Sequence, residues 1–284
     1  MKISVTSYSF GKYIAPEKLG FLGIMDRAAE MGFGGIEFSE GPWMNEPDAA
    51  RRIREHAAEL GLEVVSLCVG ADFLNGSGGD TKAEVRRVCG MVDFACEMGA
   101  RRMRHDISGG FRGRKICRSY DDALPIVAPA VREVASYAEQ KGVGTMTENH
   151  GFFSQDARRV EKLINTVAHP NFGALVDLGN FMCADEDPVK SVGVMAPYAK
   201  HVHAKDFHWK SGMEADPGAG WFRTRAGNYI RGAIVGHGNA KSAQSLGILK
   251  RSGYDGFVSI EFEGMEDNLK GIQIGLDNIR RFIA

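Results

Sequence analysis

Ala28-Ala29-Glu30-Met31-Gly32-Phe33 returns as Ala57-Ala58-Glu59-Leu60-Gly61-Leu62 and again as Ala95-Cys96-Glu97-Met98-Gly99-Ala100. Weaker copies are Ala138-Glu139-Gln140-Lys141-Gly142-Val143 and Leu249-Lys250-Arg251-Ser252-Gly253-Tyr254. In each, a helical pattern stops at a glycine and a short β-rich run follows within a few residues. Glycine suits that stop because it enters the left-handed conformation after a helix without the steric cost of a Cβ. The runs that follow are GGIEF, EVVSL, RRMRH, GTMTE and GFVSIEF. They are short and apolar or β-branched, as strands of a helix-covered parallel sheet are.

The same unit fills the chain. Strands are expected near residues 2–7, 35–38, 63–68, 101–106, 143–148, 172–177, 199–204 and 256–261. Helices are expected near 17–31, 47–60, 81–99, 121–141, 154–167, 187–197, 239–252 and 265–283. Eight alternations favour a closed barrel over an open doubly wound sheet. Residues 1–284 are therefore read as a single α/β domain, a (β/α)8 TIM barrel. No G-x-G-x-x-G opens a helix after the first strand, so a dinucleotide fold has no motif support. The one irregular stretch, about 207–238, is glycine-rich and carries Trp209, Trp221, Arg223 and Arg225. A loop that long in a compact domain is usually functional or disordered, and its aromatic and basic content points to a substrate lid.

Hydrophobic residues at 44% and charged residues at 25% describe a globular chain with a sizeable core. A net charge of −1 gives no electrostatic reason to expect nucleic acid. The dense basic cluster Arg101, Arg102 and Arg104 reads as a solvated helix–strand junction. Five cysteines, Cys68, Cys89, Cys96, Cys117 and Cys183, are scattered without a C-x-x-C pair. The opening MKISVTSYSF lacks the apolar core of a signal peptide, and no window approaches the ~18 apolar residues of a membrane span. Reduced thiols in a cytoplasm fit this pattern. The expected partner is a small molecule, with no nucleic acid and no membrane, and a homo-oligomer is left open.

Chemistry in such a barrel sits at the carboxyl ends of the strands. The fifth strand ends Thr147-Glu148-Asn149-His150 and the sixth Val176-Asp177-Leu178-Gly179-Asn180. The seventh reads His201-Val202-His203-Ala204-Lys205-Asp206 and the eighth Ser259-Ile260-Glu261-Phe262-Glu263. Four neighbouring strands thus place ligand-capable side chains at one level. Three carboxylates and an imidazole converging would repel one another without a cation between them. An O3N set suits one divalent ion, Mn²⁺ foremost, with Mg²⁺, Co²⁺ or Zn²⁺ as alternatives. Period-two alternation turns both members of His201/His203 inward, and likewise Glu261/Glu263, so spacing alone leaves each pair open.

The runs ENHG, DLGN, HVHAKD and GYDGFVSIEFEG, in that order, resemble the xylose-isomerase-like TIM-barrel superfamily of sugar isomerases and epimerases. The likeness spans essentially the whole chain, including the early GFGGIEF strand, and extends to ketose 3-epimerases and inosose dehydratase. It implies Glu148, Asp177, His203 and Glu261 as metal ligands, with Glu148 and Glu261 doubling as the acid–base pair. The implied function is a divalent-metal-dependent isomerase or epimerase of a sugar or sugar derivative, moving protons through a metal-bound enediolate. Two departures stand out. Ketohexose 3-epimerases carry a histidine where this chain has Asn180, and an arginine where it has Trp209. HAKD looks more like the inosose dehydratase and sugar-phosphate-isomerase-like branches.

Around that site, Lys205, His150 and Asn180 are expected to orient substrate hydroxyls or a developing oxyanion. Glu37 and His105, ending earlier strands, are further candidates for substrate contact. His201 is expected deeper, in a supporting role. His237, in Gly236-His237-Gly238-Asn239, fits either a phosphate-binding turn or a plain glycine turn. Competing functions are a keto-inositol or keto-sugar dehydratase on the same site, and a non-catalytic sugar- or metal-binding protein. An abasic-site endonuclease calls for additional histidines and a basic surface, which the charge of −1 argues against.

Overall fold

Eight parallel strands close into a barrel, with one antiparallel sheet inserted after the seventh. The structure, a computed structural model, describes residues 1–113 and 118–284; Cys117 lies outside them. In chain order the elements are β1 (Lys2–Thr6), α1 (Gly20–Met31), β2 (Gly35–Ser39), α2 (Ala49–Leu60), β3 (Glu63–Val69), α3 (Thr81–Glu97), β4 (Arg102–His105) and α4 (Tyr120–Gln140). There follow β5 (Gly144–Glu148), α5 (Ala157–Val167), β6 (Phe172–Asp177), α6 (Pro188–Met195), β7 (Ala199–Ala204), β8 (Asp206–Lys210), β9 (Phe222–Arg223), β10 (Tyr229–Ala233), α7 (Ser242–Arg251), β11 (Phe257–Ile260) and α8 (Asn268–Ile283). The barrel runs β1 to β7 in sequence and closes through β11 back to β1.

The helix–glycine–strand repeat works as its residues suggest. Gly32 (φ 84°) and Gly61 (φ 68°) end α1 and α2 in the left-handed conformation, and their N–H groups bond back to carbonyls of the last turn. The chain then turns at once into β2 and β3. The main apolar core lies between barrel and helices, from Ile24 and Met25 of α1 round to Leu276 and Ile279 of α8. Inside the barrel, Cys68, Met146 and Leu175 form a small apolar layer. Glu148 and Asp177, two residues further along their strands, rise above it by period-two alternation.

The stretch expected to be irregular is ordered: β8, β10 and β9 form a three-stranded antiparallel sheet. The period-two signal there is short and interrupted by glycines, which hid it. Asp185 ties the sheet down by accepting from Thr224 Oγ1 at 2.6 Å, Ala226 N at 2.6 Å and Asn228 Nδ2 at 2.8 Å. Residues 207–238 supply no lining residue to the cavity over the site described below. Cys68, Cys89, Cys96 and Cys183 are unpaired. No helix among the described residues is long and apolar enough to cross a membrane.

Candidate metal centre

Glu148, Asp177, His203 and Glu261 converge at the carboxyl end of the barrel, each offering one donor atom within 4.8 Å of the others. His203 Nδ1 lies 3.4 Å from Glu261 Oε2, 3.7 Å from Glu148 Oε1 and 3.8 Å from Asp177 Oδ2. Octahedral ligands about 2.1 Å from one ion sit about 3 Å apart when adjacent and about 4 Å apart when opposite. The spacing lies between these two distances, as suits a candidate cation site.

Neighbouring groups fix the four side chains, and at Asp177 and His203 they leave one atom free. Asp177 Oδ1 accepts from Gly179 N at 2.8 Å and Asn180 N at 2.7 Å, while its Oδ2 is buried without a partner. Asn149 locks the ends of β5 and β6 together, donating to Asp177 O and accepting from Asp177 N, both at 2.9 Å. His203 donates from Nε2 to Glu37 Oε1 at 2.6 Å, which leaves Nδ1 buried and unsatisfied. Glu261 Oε2 lies 2.6 Å from Lys205 Nζ yet makes no aligned hydrogen bond. Buried polar atoms without partners are costly, and two of them, Asp177 Oδ2 and His203 Nδ1, facing the same point fit a cation there. The four side chains form a candidate site for a divalent ion.

The pairs His201/His203 and Glu261/Glu263 are resolved by depth. His201 lies one layer down, its Nε2 3.0 Å from Ser259 Oγ and 2.8 Å from Glu37 Oε2. Glu263 faces the rim, 3.6 Å from Lys205 Nζ.

The other candidates divide. Asn180 donates from Nδ2 to Glu148 Oε1 at 2.9 Å, Lys205 reaches Asn180 Oδ1 at 3.3 Å, and His150 lines the same cavity of about 310 Å³ as Glu148 and Lys205. Glu37 is fully buried, with both oxygens turned to histidines, and so is placed to orient ligands rather than to touch a substrate. His105 is also fully buried, between the rings of Phe73 and Phe172 at 5.7 and 5.9 Å. Strand parity explains it: Arg104 pairs in register with Cys68 and Met146 and points inward, so His105 points out to the helix shell.

That parity also corrects the reading of the arginine cluster. Arg104 is not solvated but buried, its Nη2 2.6 Å from Glu148 Oε2 and 3.0 Å from Asp106 Oδ1. Alternation in RMRH was the signal that could have found it. His237 finds no phosphate nest, because Asp206 occupies the turn. Its carboxylate accepts from Gly236 N, Gly238 N and Ala240 N at 2.9, 3.0 and 2.8 Å.

Electrostatics follow from these contacts. Burial pushes Glu148 up, but Arg104 and His203 overcome it and hold the carboxyl well below the usual range. Burial likewise opposes, and Lys205 and His203 outweigh, ionisation of Glu261, which is also lowered. Asp177 goes the other way: burial, with Glu148 and Glu261 nearby, raises it to about 7 despite Lys205. Glu37 is lowered to about 2 against its burial by His203 and His201. The arrangement keeps Glu148 and Glu261 charged beside Arg104 and Lys205 and pushes Asp177 toward its neutral form.

A family model described as xylose isomerase-like TIM barrel matches residues 25–282. Among solved structures, the D-psicose 3-epimerase of Clostridium cellulolyticum H10 with D-tagatose superposes with a TM-score of 0.76 at 14% identity, covering 100% of this chain and 99% of that one. The "probable 3-DHS dehydratase AsbF involved in the petrobactin synthesis" of Bacillus anthracis gives 0.75 at 18% identity, covering 99% of each. A xylose isomerase-like TIM barrel protein of Mycobacterium smegmatis in complex with magnesium gives 0.70 at 18%, covering 100% and 98%. At such identities these structures share the fold alone. No curated protein sequence matches the chain.

Proposed function

The chain belongs to the xylose isomerase-like TIM-barrel family, and from that premise we propose that it is a divalent-metal-dependent isomerase or epimerase of a sugar or sugar derivative. The observation that carries the reading is the convergence of Glu148, Asp177, His203 and Glu261, with Asp177 Oδ2 and His203 Nδ1 buried and unpartnered. Those four residues would hold the ion, Mn²⁺ foremost, with Mg²⁺, Co²⁺ or Zn²⁺ as alternatives. When bound, it supplies a Lewis acid that polarises a substrate carbonyl and offsets charge developing on its oxygen.

The side chains divide the proton transfers. Glu148, kept ionised by Arg104, takes the proton from the carbon beside the carbonyl. Glu261, across β6 and β7, relays a proton from the Lys205 ammonium 2.6 Å away, to the same carbon for an epimer or to its neighbour for an isomer. Lys205, 2.6 Å from Glu261, donates to substrate oxygens and balances the charge of that carboxylate. Asn180 holds Glu148 in place and presents its amide to a hydroxyl. Four described cysteines are unpaired, which supports a reducing, cytoplasmic setting.

A second reading, a keto-sugar dehydratase, is favoured by one pair. His150 Nδ1 lies 3.0 Å from Asp106 Oδ1 at the rim beside Glu148. Burial alone would lower its pKa, but the Asp106 hydrogen bond and the Glu148 charge raise it. A protonated imidazole there would hand its proton to a departing hydroxyl. Incubation of ketoses and inososes with Mn²⁺ in heavy water, before and after chelation, tests both. Solvent deuterium on carbon without loss of water supports isomerase or epimerase chemistry, and an enone or diketone product supports the lyase. Absence of chelator-sensitive turnover on every compound rejects the enzyme reading and leaves a sugar- or metal-binding protein.

A further inference from the structure

The lower end of the barrel is open where two of its strands lack side chains. Gly144 of β5 and Gly173 of β6 lie two residues before Met146 and Leu175. Alternation therefore puts both on the inner face, one step below that apolar layer. A barrel interior is ordinarily filled by layers of side chains; here two strands contribute none. Two cationic stems cross the gap instead. A Cβ on Gly173 would fall 2.5 Å from Lys200 Cγ and 2.9 Å from Tyr198 O, and one on Gly144 3.5 Å from Arg102 Cγ. Lys200 reaches that position through a bulge. β7 has one residue more than β6 between the pairs Ala174–Ala199 and Leu175–His201, and the extra residue is Lys200. Arg102 shares its strand face with Arg104. The result is a cavity of about 370 Å³ at the end of the barrel opposite the metal centre, whose lining includes Arg101, Arg102, Thr145, Asn171 and Lys200.

The charge of this cavity is one-sided. Among the described residues no carboxylate lines it. Arg102 is partly buried, yet neither it nor Lys200 makes a side-chain hydrogen bond or ion pair with any described residue. A guanidinium drawn out of water is ordinarily paired. Of the acids nearby, Glu63 is held by Lys2 at 2.6 Å and Arg101 at 3.0 Å, while Asp255 lines an adjoining space of about 230 Å³ and makes no ion pair with Arg102. Two cations on one small cavity repel each other, and an anion between them turns that cost into attraction. Asn171 adds an acceptor. Its Nδ2 is spent on Ala135 O and Val143 O at 3.1 and 2.9 Å, which leaves Oδ1 for a ligand hydroxyl. The barrel mouth differs. The cavity there beside Glu148 also holds arginines, but Arg87 is paired with Glu84 at 2.7 Å and Arg112 with Asp72 at 3.5 Å.

We propose that this lower cavity binds a phosphate group, free or carried by a small metabolite, with Arg102 and Lys200 as its counter-charges. Phosphate brings two negative charges and several acceptor oxygens, which suit a planar guanidinium fork and an ammonium. The volume leaves room for an organic part beside it. The site lies at the far end of the strands that carry the candidate metal ligands, so it takes an effector rather than the substrate. It needs neither the metal nor turnover, and is independent of the function proposed above.

The test is titration calorimetry on the full chain in phosphate-free, low-salt buffer, after chelation and again with Mg²⁺, using inorganic phosphate, glycerol 3-phosphate and D-glucose 6-phosphate. At least one is expected to bind with a dissociation constant of about 1 mM or lower, as two charge-assisted contacts allow. An ester tighter than inorganic phosphate assigns the group to a metabolite, and the reverse order assigns it to the free ion; both support the site. Lys200→Gln and Arg102→Gln are each expected to weaken that binding about tenfold or more, and Lys200→Glu to abolish it. Lys200 is exposed, so its variants report on the site even if Arg102→Gln does not fold. Chelation and Arg112→Gln, which act at the mouth, are expected to leave the affinity unchanged. No binding by any of the three compounds, binding unaltered in Lys200→Gln, or binding lost on chelation or in Arg112→Gln overturns the proposal.

Discussion

Replacing Glu37 by glutamine keeps the shape of the side chain and removes one charge from the floor of the metal centre. Glu37 is fully buried, 2.6 Å from His203 Nε2 and 2.8 Å from His201 Nε2, while His203 presents Nδ1 to the cage. A carboxylate behind a ligating histidine fixes the ring and raises its basicity, and losing it typically weakens metal binding 10- to 100-fold, or about 1.4 to 2.8 kcal/mol. A counter-effect must be weighed. Glu37 also favours a proton on His203, whose imidazole it holds well above its ordinary range against the effect of burial. The divalent ion carries twice the proton's charge, so the loss on the metal side wins. Competition titration with Mn²⁺ and a chelator near pH 8 should therefore give a dissociation constant raised 10- to 100-fold in Glu37→Gln. Asp177→Asn serves as the control for loss of a ligand. An affinity within about twofold of the parent in Glu37→Gln, with Asp177→Asn impaired, would refute the role assigned to the buried glutamate.

Arg104→Met removes the ion pair that offsets the burial of Glu148, so that carboxyl moves up. The acid limb of kcat/KM should shift to higher pH by about one unit or more, with most activity retained in alkaline buffer; an unmoved limb rejects Glu148 as the base. His105 is held down to about 4 by burial, from an ordinary 6.5. Its neutral form therefore contributes stability that is complete above pH 6.5 and is lost as pH falls towards 4, about 3 kcal/mol in all. Urea denaturation of His105→Phe at pH 7 and pH 4.5 should show that slope flattened. Asp206→Ala strips acceptors from the N–H groups of Phe207, Gly236, Gly238 and Ala240. A loss of about 2–4 kcal/mol, read as a lower urea midpoint at constant slope, is expected; no change would mean that water replaces the carboxylate at little cost.

The barrel was legible in the sequence because its cause is local. A helix stop at Gly32 or Gly61 and an apolar strand directly after it need only neighbours in the chain, and eight such units leave few ways to close. The candidate site was legible in part, since Glu148, Asp177, the pair His201/His203 and the pair Glu261/Glu263 fall at the ends of four successive barrel strands, with each pair left open by spacing. Short-range pattern failed where glycine interrupts it. In the antiparallel sheet β9 is two residues long, and β8 and β10 are not preceded by the helix–glycine unit that marks the barrel strands.

Only the tertiary structure decided what each side chain faces. His201 and His203 share a face of β7, and their depth along the barrel alone makes one a candidate ligand and the other its support. Arg104 and His105 exchange their expected places because strand register, fixed by β3 and β5, turns the arginine into the barrel and the histidine out. The hydrogen bond from His203 to Glu37 spans 166 residues and the ion pair of Arg104 with Glu148 joins two strands. Sequence periodicity states which residues can share a surface; burial and pairing across the closed barrel determine which charge meets which, and so which glutamate touches the cage and which holds it from below.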